Sequence, residues 1–181
     1  MILAGLGCTL ALVLSPVPDP QAGGADAPPP ITIHTAAAPS LKVFYLNLPW
    51  GPNTFAAMER GGDSYYAKRT WPFARLESTA PLTLEKTTLP PGNYALVFHP
   101  NTPDNEGMSL EVRKIQVAEF LEPGNVMTRT PEGESLWRAP IRFDTVPGIS
   151  PHLVVDLESS PGEVSLVVRY GDRRLVRPLA Y

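Results

Sequence analysis

Sixteen prolines are scattered through positions 31–181 among short apolar runs. Proline fixes its own φ and lacks a backbone N–H, which bars it from helix interiors and central strands. The scatter therefore predicts many short strands separated by many turns. Long helices are excluded on the same ground: no segment of a dozen residues keeps a clean helical period without meeting Pro or Gly.

The stretch from Thr70 to Ile115 organises the remainder and reads as four strands. Phe73, Leu76, Leu82 and Leu84 lead into the turn Pro90-Pro91-Gly92-Asn93. Beyond it Tyr94, Leu96 and Phe98 alternate with Ala95 and Val97, so both faces of this run are apolar. A strand apolar on both faces belongs in the middle of a sheet covered on two sides.

The rest of the chain supplies further strands. Ile31–Thr35 is a short β-rich run suited to an added edge, and Leu41–Leu48 alternates more strongly. Phe55–Arg60 has room for one or two helical turns, stopped by Gly61-Gly62. Downstream runs lie at Gln116–Glu122, Leu136–Phe143, Leu153–Glu158 and Val164–Tyr170, followed by Leu175–Leu179. Gly171-Asp172, between two of them, has the chemistry of a two-residue hairpin turn. The expected fold is all-β, an antiparallel β-sandwich of about nine or ten short strands with at most one short helix.

Residues 1–27 read as a signal peptide whose basic n-region is missing. Ile2–Leu14 is an apolar core too short to span a membrane, and Ala25-Asp26-Ala27 offers a cleavage site. Cys8, the single cysteine, goes with the leader in this reading; Gly5-Leu6-Gly7 before it fits a lipidation motif poorly. Residues 28–40, rich in Pro and Ala, read as a linker, and 41–181 as one β-sandwich domain. The expected location is periplasmic or extracellular, with no transmembrane span in the mature chain. Formal net charge is −3, and −1 without Asp19 and Asp26 of the leader. A near-neutral domain without a basic run offers no footprint for nucleic acid.

The stretch Trp71 … Thr83-Leu84 … Leu89-Pro90-Pro91-Gly92-Asn93-Tyr94-Ala95-Leu96 resembles the core of a bacterial secreted family catalogued as domain of unknown function 2911. Phe44–Asn53, with Trp50-Gly51, looks like that family's first strand and following loop, and Val168-Arg169-Tyr170-Gly171 like its last strands. Pro72 stands where the family usually has Arg, and Phe73-Ala74-Arg75-Leu76 replaces its Gly-Ala-Asn-Glu. The resemblance implies secretion and a β-sandwich, and no established reaction.

Catalytic chemistry is sparsely marked. His34, His99 and His152 have no pairwise spacing typical of metal ligands, although Asp104 and Glu106 near His99 allow a zinc or copper site to be imagined. Pro103–Gly107 gathers oxygen-bearing side chains without the pattern of an EF-hand. No Gly-x-Ser-x-Gly or phosphate-cradling loop is present. No catalytic residue, metal ligand or cofactor is therefore assigned.

Aromatic density is the most suggestive feature. Eight rings fall between Phe44 and Phe73, with Lys68 and Arg69 among them. Rings on loops can stack on sugars or bury against a partner chain. The expected binding residues are Trp50, Tyr65, Tyr66, Lys68, Arg69 and Trp71, in a non-catalytic module for a partner protein or glycan. The alternative is a metal-dependent enzyme or metal carrier using histidines and carboxylates.

Overall fold

The computed structural model describes residues 30–102, 107–116, 129–161 and 163–180. Among them are ten strands and two short helices: β1 (Ile33–Ala38), β2 (Leu41–Leu46), α1 (Pro52–Arg60), α2 (Tyr65–Lys68), β3 (Trp71–Ser78), β4 (Leu82–Leu84), β5 (Thr87–Leu89), β6 (Gly92–His99), β7 (Met108–Lys114), β8 (Ser135–Ile141), β9 (Asp144–Ser160) and β10 (Glu163–Leu179). The chain divides into two units, Met1–Pro30 and Ile31–Tyr181, and the fold is that of the second. The leader, residues 103–106 and most of the run at 116–122 lie outside the described residues.

A six-stranded antiparallel sheet has the order β1-β2-β3-β6-β7-β8, while β9 and β10 form a long antiparallel pair and β4 and β5 a small one. The end of β10 is joined to β4 by two backbone bonds between Thr83 and Ala180. Leu41, Val43, Phe73, Leu76, Leu96, Phe98 and Val112 from the large sheet share one core with Leu153, Val155, Leu166 and Val168 from β9 and β10. The result is a sandwich-like all-β fold.

β6 sits inside the large sheet, as its two apolar faces predict. Tyr94, Leu96 and Phe98 enter the main core, and the Phe98 ring stacks on Phe73 at 4.0 Å between centroids. Ala95 and Val97 form a second small cluster with Ile115 on the opposite face. The neighbouring β7 mixes polarity on that face: Ser109 and Glu111 are buried there, and His99 Nε2 and Glu111 Oε2 lie 2.6 Å apart across the two strands.

Five expectations are corrected. Two helices are present rather than one. α2 escapes notice because it is a single turn, whose Ser64 Oγ accepts from the Ala67 N–H at 3.2 Å. The stretch Thr70–Ile115 holds five strands, because Glu85 takes a left-handed φ of 56° and folds β4 back on β5. The linker assigned to 28–40 is shorter, since Ile33–Ala38 pairs residue for residue along β2 and satisfies its outer edge. The domain therefore starts before residue 41.

The fifth correction is Gly171-Asp172, which lies inside β10. Gly171 has a φ of 63°, and the pairing with β9 slips in register on either side of it. It is a bulge rather than a turn, and a Cβ there would collide with the Trp50 indole. The chain reverses instead between Ser160 and Glu163.

Candidate functional site

Between β2 and β3 the chain leaves the sheet and builds a helical corner. Gly51 precedes α1, and Pro52 fits its first turn, where an N–H would be left without a partner. Phe55 and Met58, three residues apart, share the buried face. α1 stops at Gly61, which has a φ of 72° and packs so closely on the Asn101 carbonyl that no side chain fits. In α2 the small Ala67 turns inward, so Tyr65 and Tyr66 face out, 64% and 49% exposed.

The corner is pinned to the last strand. Tyr170 on β10 donates its hydroxyl to the Pro49 carbonyl at 2.6 Å and accepts from the Gly51 N–H at 3.2 Å. Burial pushes the Tyr170 phenol up in pKa, which the bond from Gly51 partly offsets, so the group stays a neutral strut. Trp50 packs edge-on against Tyr170 at 4.7 Å and against Phe55 at 5.5 Å. The Gly171 bulge admits its indole.

These elements enclose a cleft of about 290 Å³. Phe55, Met58, Pro72 and Tyr170 are its buried wall, with Leu48, Thr54 and Thr70 beside them and Tyr66, Arg69 and Trp71 towards solvent. Trp71 is half-buried, in contact with Phe98 at 5.7 Å and Tyr170 at 5.4 Å. Thr70 is held to Thr130 by a hydroxyl pair at 2.8 Å. Arg69 is the one charged residue among the described residues of the lining. Its Nη1 donates to the Tyr65 hydroxyl at 2.5 Å, and its guanidinium lies over the Tyr65 ring.

The six residues expected from the sequence thus divide. Tyr66, Arg69 and Trp71 line the cleft. Tyr65 stands outside it and positions Arg69. Lys68 is exposed and paired with Asp63 at 2.8 Å, which holds the Asp63 carboxyl below its ordinary pKa. Trp50 is a packing residue behind the wall, not part of a free surface. Met58 and Tyr170 were missed as cleft residues. Met58 was legible from its spacing to Phe55; nothing local announced Tyr170.

The histidines lie on separate strands. His34 stacks on Tyr45, His99 meets Glu111, and His152 on β9 bridges to Pro49. Among the described residues no three His, Cys, Asp or Glu side chains gather as metal ligands. Asp104 and Glu106 lie outside the described residues. Among those residues, too, no helix is long and apolar enough to cross a membrane. No family model, curated protein or solved structure matches the chain.

Proposed function

We propose that this protein is a non-catalytic binding module that captures a partner protein through the cleft at its helical corner. The observation that carries the reading is the cleft itself: apolar and aromatic in its depth, with the exposed Tyr66 and Arg69 at its mouth and the exposed Tyr65 beside Arg69. Tyr, Trp and Arg are the residues on which protein interfaces concentrate their binding energy. A glycan is the poorer occupant. Sugar hydroxyls call for carboxylate or amide acceptors, and none occurs among the described residues of the lining. We place the module in the periplasm or outside the cell, on the strength of the apolar run Ile2–Leu14 and the resemblance described above.

A photo-reactive side chain substituted for Tyr66 tests this in the native host. The expected result is one discrete protein adduct that disappears when the cleft is filled by Thr54→Trp. An adduct that survives the filled cleft, or a carbohydrate-only adduct, would count against the protein-binding reading.

A further inference from the structure

Resting on that reading, we infer that the partner presents an acidic linear segment: one large apolar side chain enters the cleft, and an adjoining carboxylate pairs with Arg69. The size sets the first half. Pockets for whole small ligands begin near about 300 Å³ and extend well above it. At about 290 Å³ this cleft stands at the low end of that range, with room for one large side chain.

Charge sets the second half. Arg69 brings a cation to the mouth of the cleft, and its hydrogen-bond partner is the neutral Tyr65 phenol. No carboxylate among the described residues lies within ion-pair reach of Arg69. The nearby acids are committed elsewhere, Asp63 to Lys68 at 2.8 Å and Glu59 to Arg173 at 3.1 Å. A guanidinium has five N–H donors in a fork that matches a carboxylate, and the described residues engage only part of this one's capacity. The Tyr65 contact also holds the fork in place, which reduces the ordering that a ligand must impose.

The surface continues past the cleft. Tyr65, 64% exposed, contacts Arg69 and lies outside the cleft lining. A chain running out of the cleft across Arg69 and Tyr65 uses this surface, whereas a small molecule confined to the cleft does not.

The test uses capped heptapeptides with a central Phe flanked by Glu, the same peptide with Gln for Glu, and the acidic peptide with Ala for Phe, together with 3-phenylpropionate. Affinities are read by calorimetry or amide chemical shifts at low ionic strength. The acidic Phe peptide is expected to bind about fivefold more tightly than its Gln counterpart, as an exposed ion pair allows, with the margin shrinking as salt is added. Arg69→Gln should bring these two peptides to one affinity, and Arg69→Lys should keep part of the difference. Equal affinity for the Glu and Gln peptides overturns the carboxylate inference and leaves the cleft reading standing. Equal affinity for the Phe and Ala peptides overturns the anchor. Binding of 3-phenylpropionate as tightly as the acidic peptide assigns the cleft to a small carboxylate and overturns the partner segment. Should no peptide bind, the inference fails, and the Tyr66 cross-link decides separately whether the cleft binds protein.

Discussion

Glu111 is the one buried carboxylate among the described residues, 1% exposed on the face of β7 turned away from the main core. Burial pushes its pKa up. Hydrogen bonds from His99 and Ser135 and the charges of Arg113 and His99 outweigh that, bringing it down from 4.5 to about 2. The folded state therefore holds the ionised form more strongly than the unfolded chain does. That stabilisation is complete above the unfolded pKa and is lost as pH falls from about 4.5 through about 2. Its size is on the order of 3 kcal/mol. Urea unfolding of the protein and of Glu111→Gln should show a stability gap that narrows across this window; a gap independent of pH would contradict the assignment. No residue in Met108–Lys114 drew notice as a site in the sequence. A Glu in an alternating strand reads as solvent-facing until the strand's second face proves to be covered.

At the scale of elements, β6 and the helical corner respond differently to truncation. Phe98 is 1% exposed and stacked on Phe73, so Phe98→Ala should destabilise by ~3–5 kcal/mol through the cavity it leaves. Tyr66 is 49% exposed on α2, and Tyr66→Ala should stay within about 0.5 kcal/mol. Trp71 falls between them, because its half-buried ring touches Phe73, Phe98 and Tyr170. Thermal unfolding of the three variants checks the order, and equal losses for Tyr66→Ala and Phe98→Ala would make the corner part of the core. The period-two alternation of Tyr94 to Phe98 made β6 legible because one strand's pattern reports both of its faces. Gly171-Asp172 misled because a glycine in a left-handed conformation serves a bulge as well as a turn. What selects the bulge is the Trp50 ring, far away in the chain and invisible to local pattern.

For the whole molecule, the alternating runs carried the fold class, whereas the prolines marked the breaks poorly: Pro72, Pro140, Pro147, Pro151 and Pro178 lie inside β3, β8, β9 and β10. The cleft was only half legible. Tyr66, Arg69 and Trp71 stood out as a cluster in sequence, whereas Tyr170 reaches them only through the folded sandwich. Stability is expected to rest on that apolar sandwich, so a chelator should leave the melting temperature unchanged. A fall of many degrees would restore the metal reading. The Tyr170 strut also imposes an order in time. It spans 121 residues to the Pro49 carbonyl, so a chain emerging from the ribosome exposes Tyr66, Arg69 and Trp71 long before the strand that completes their cleft. On the proposed reading, recognition therefore waits until the strand carrying Tyr170 has joined the fold.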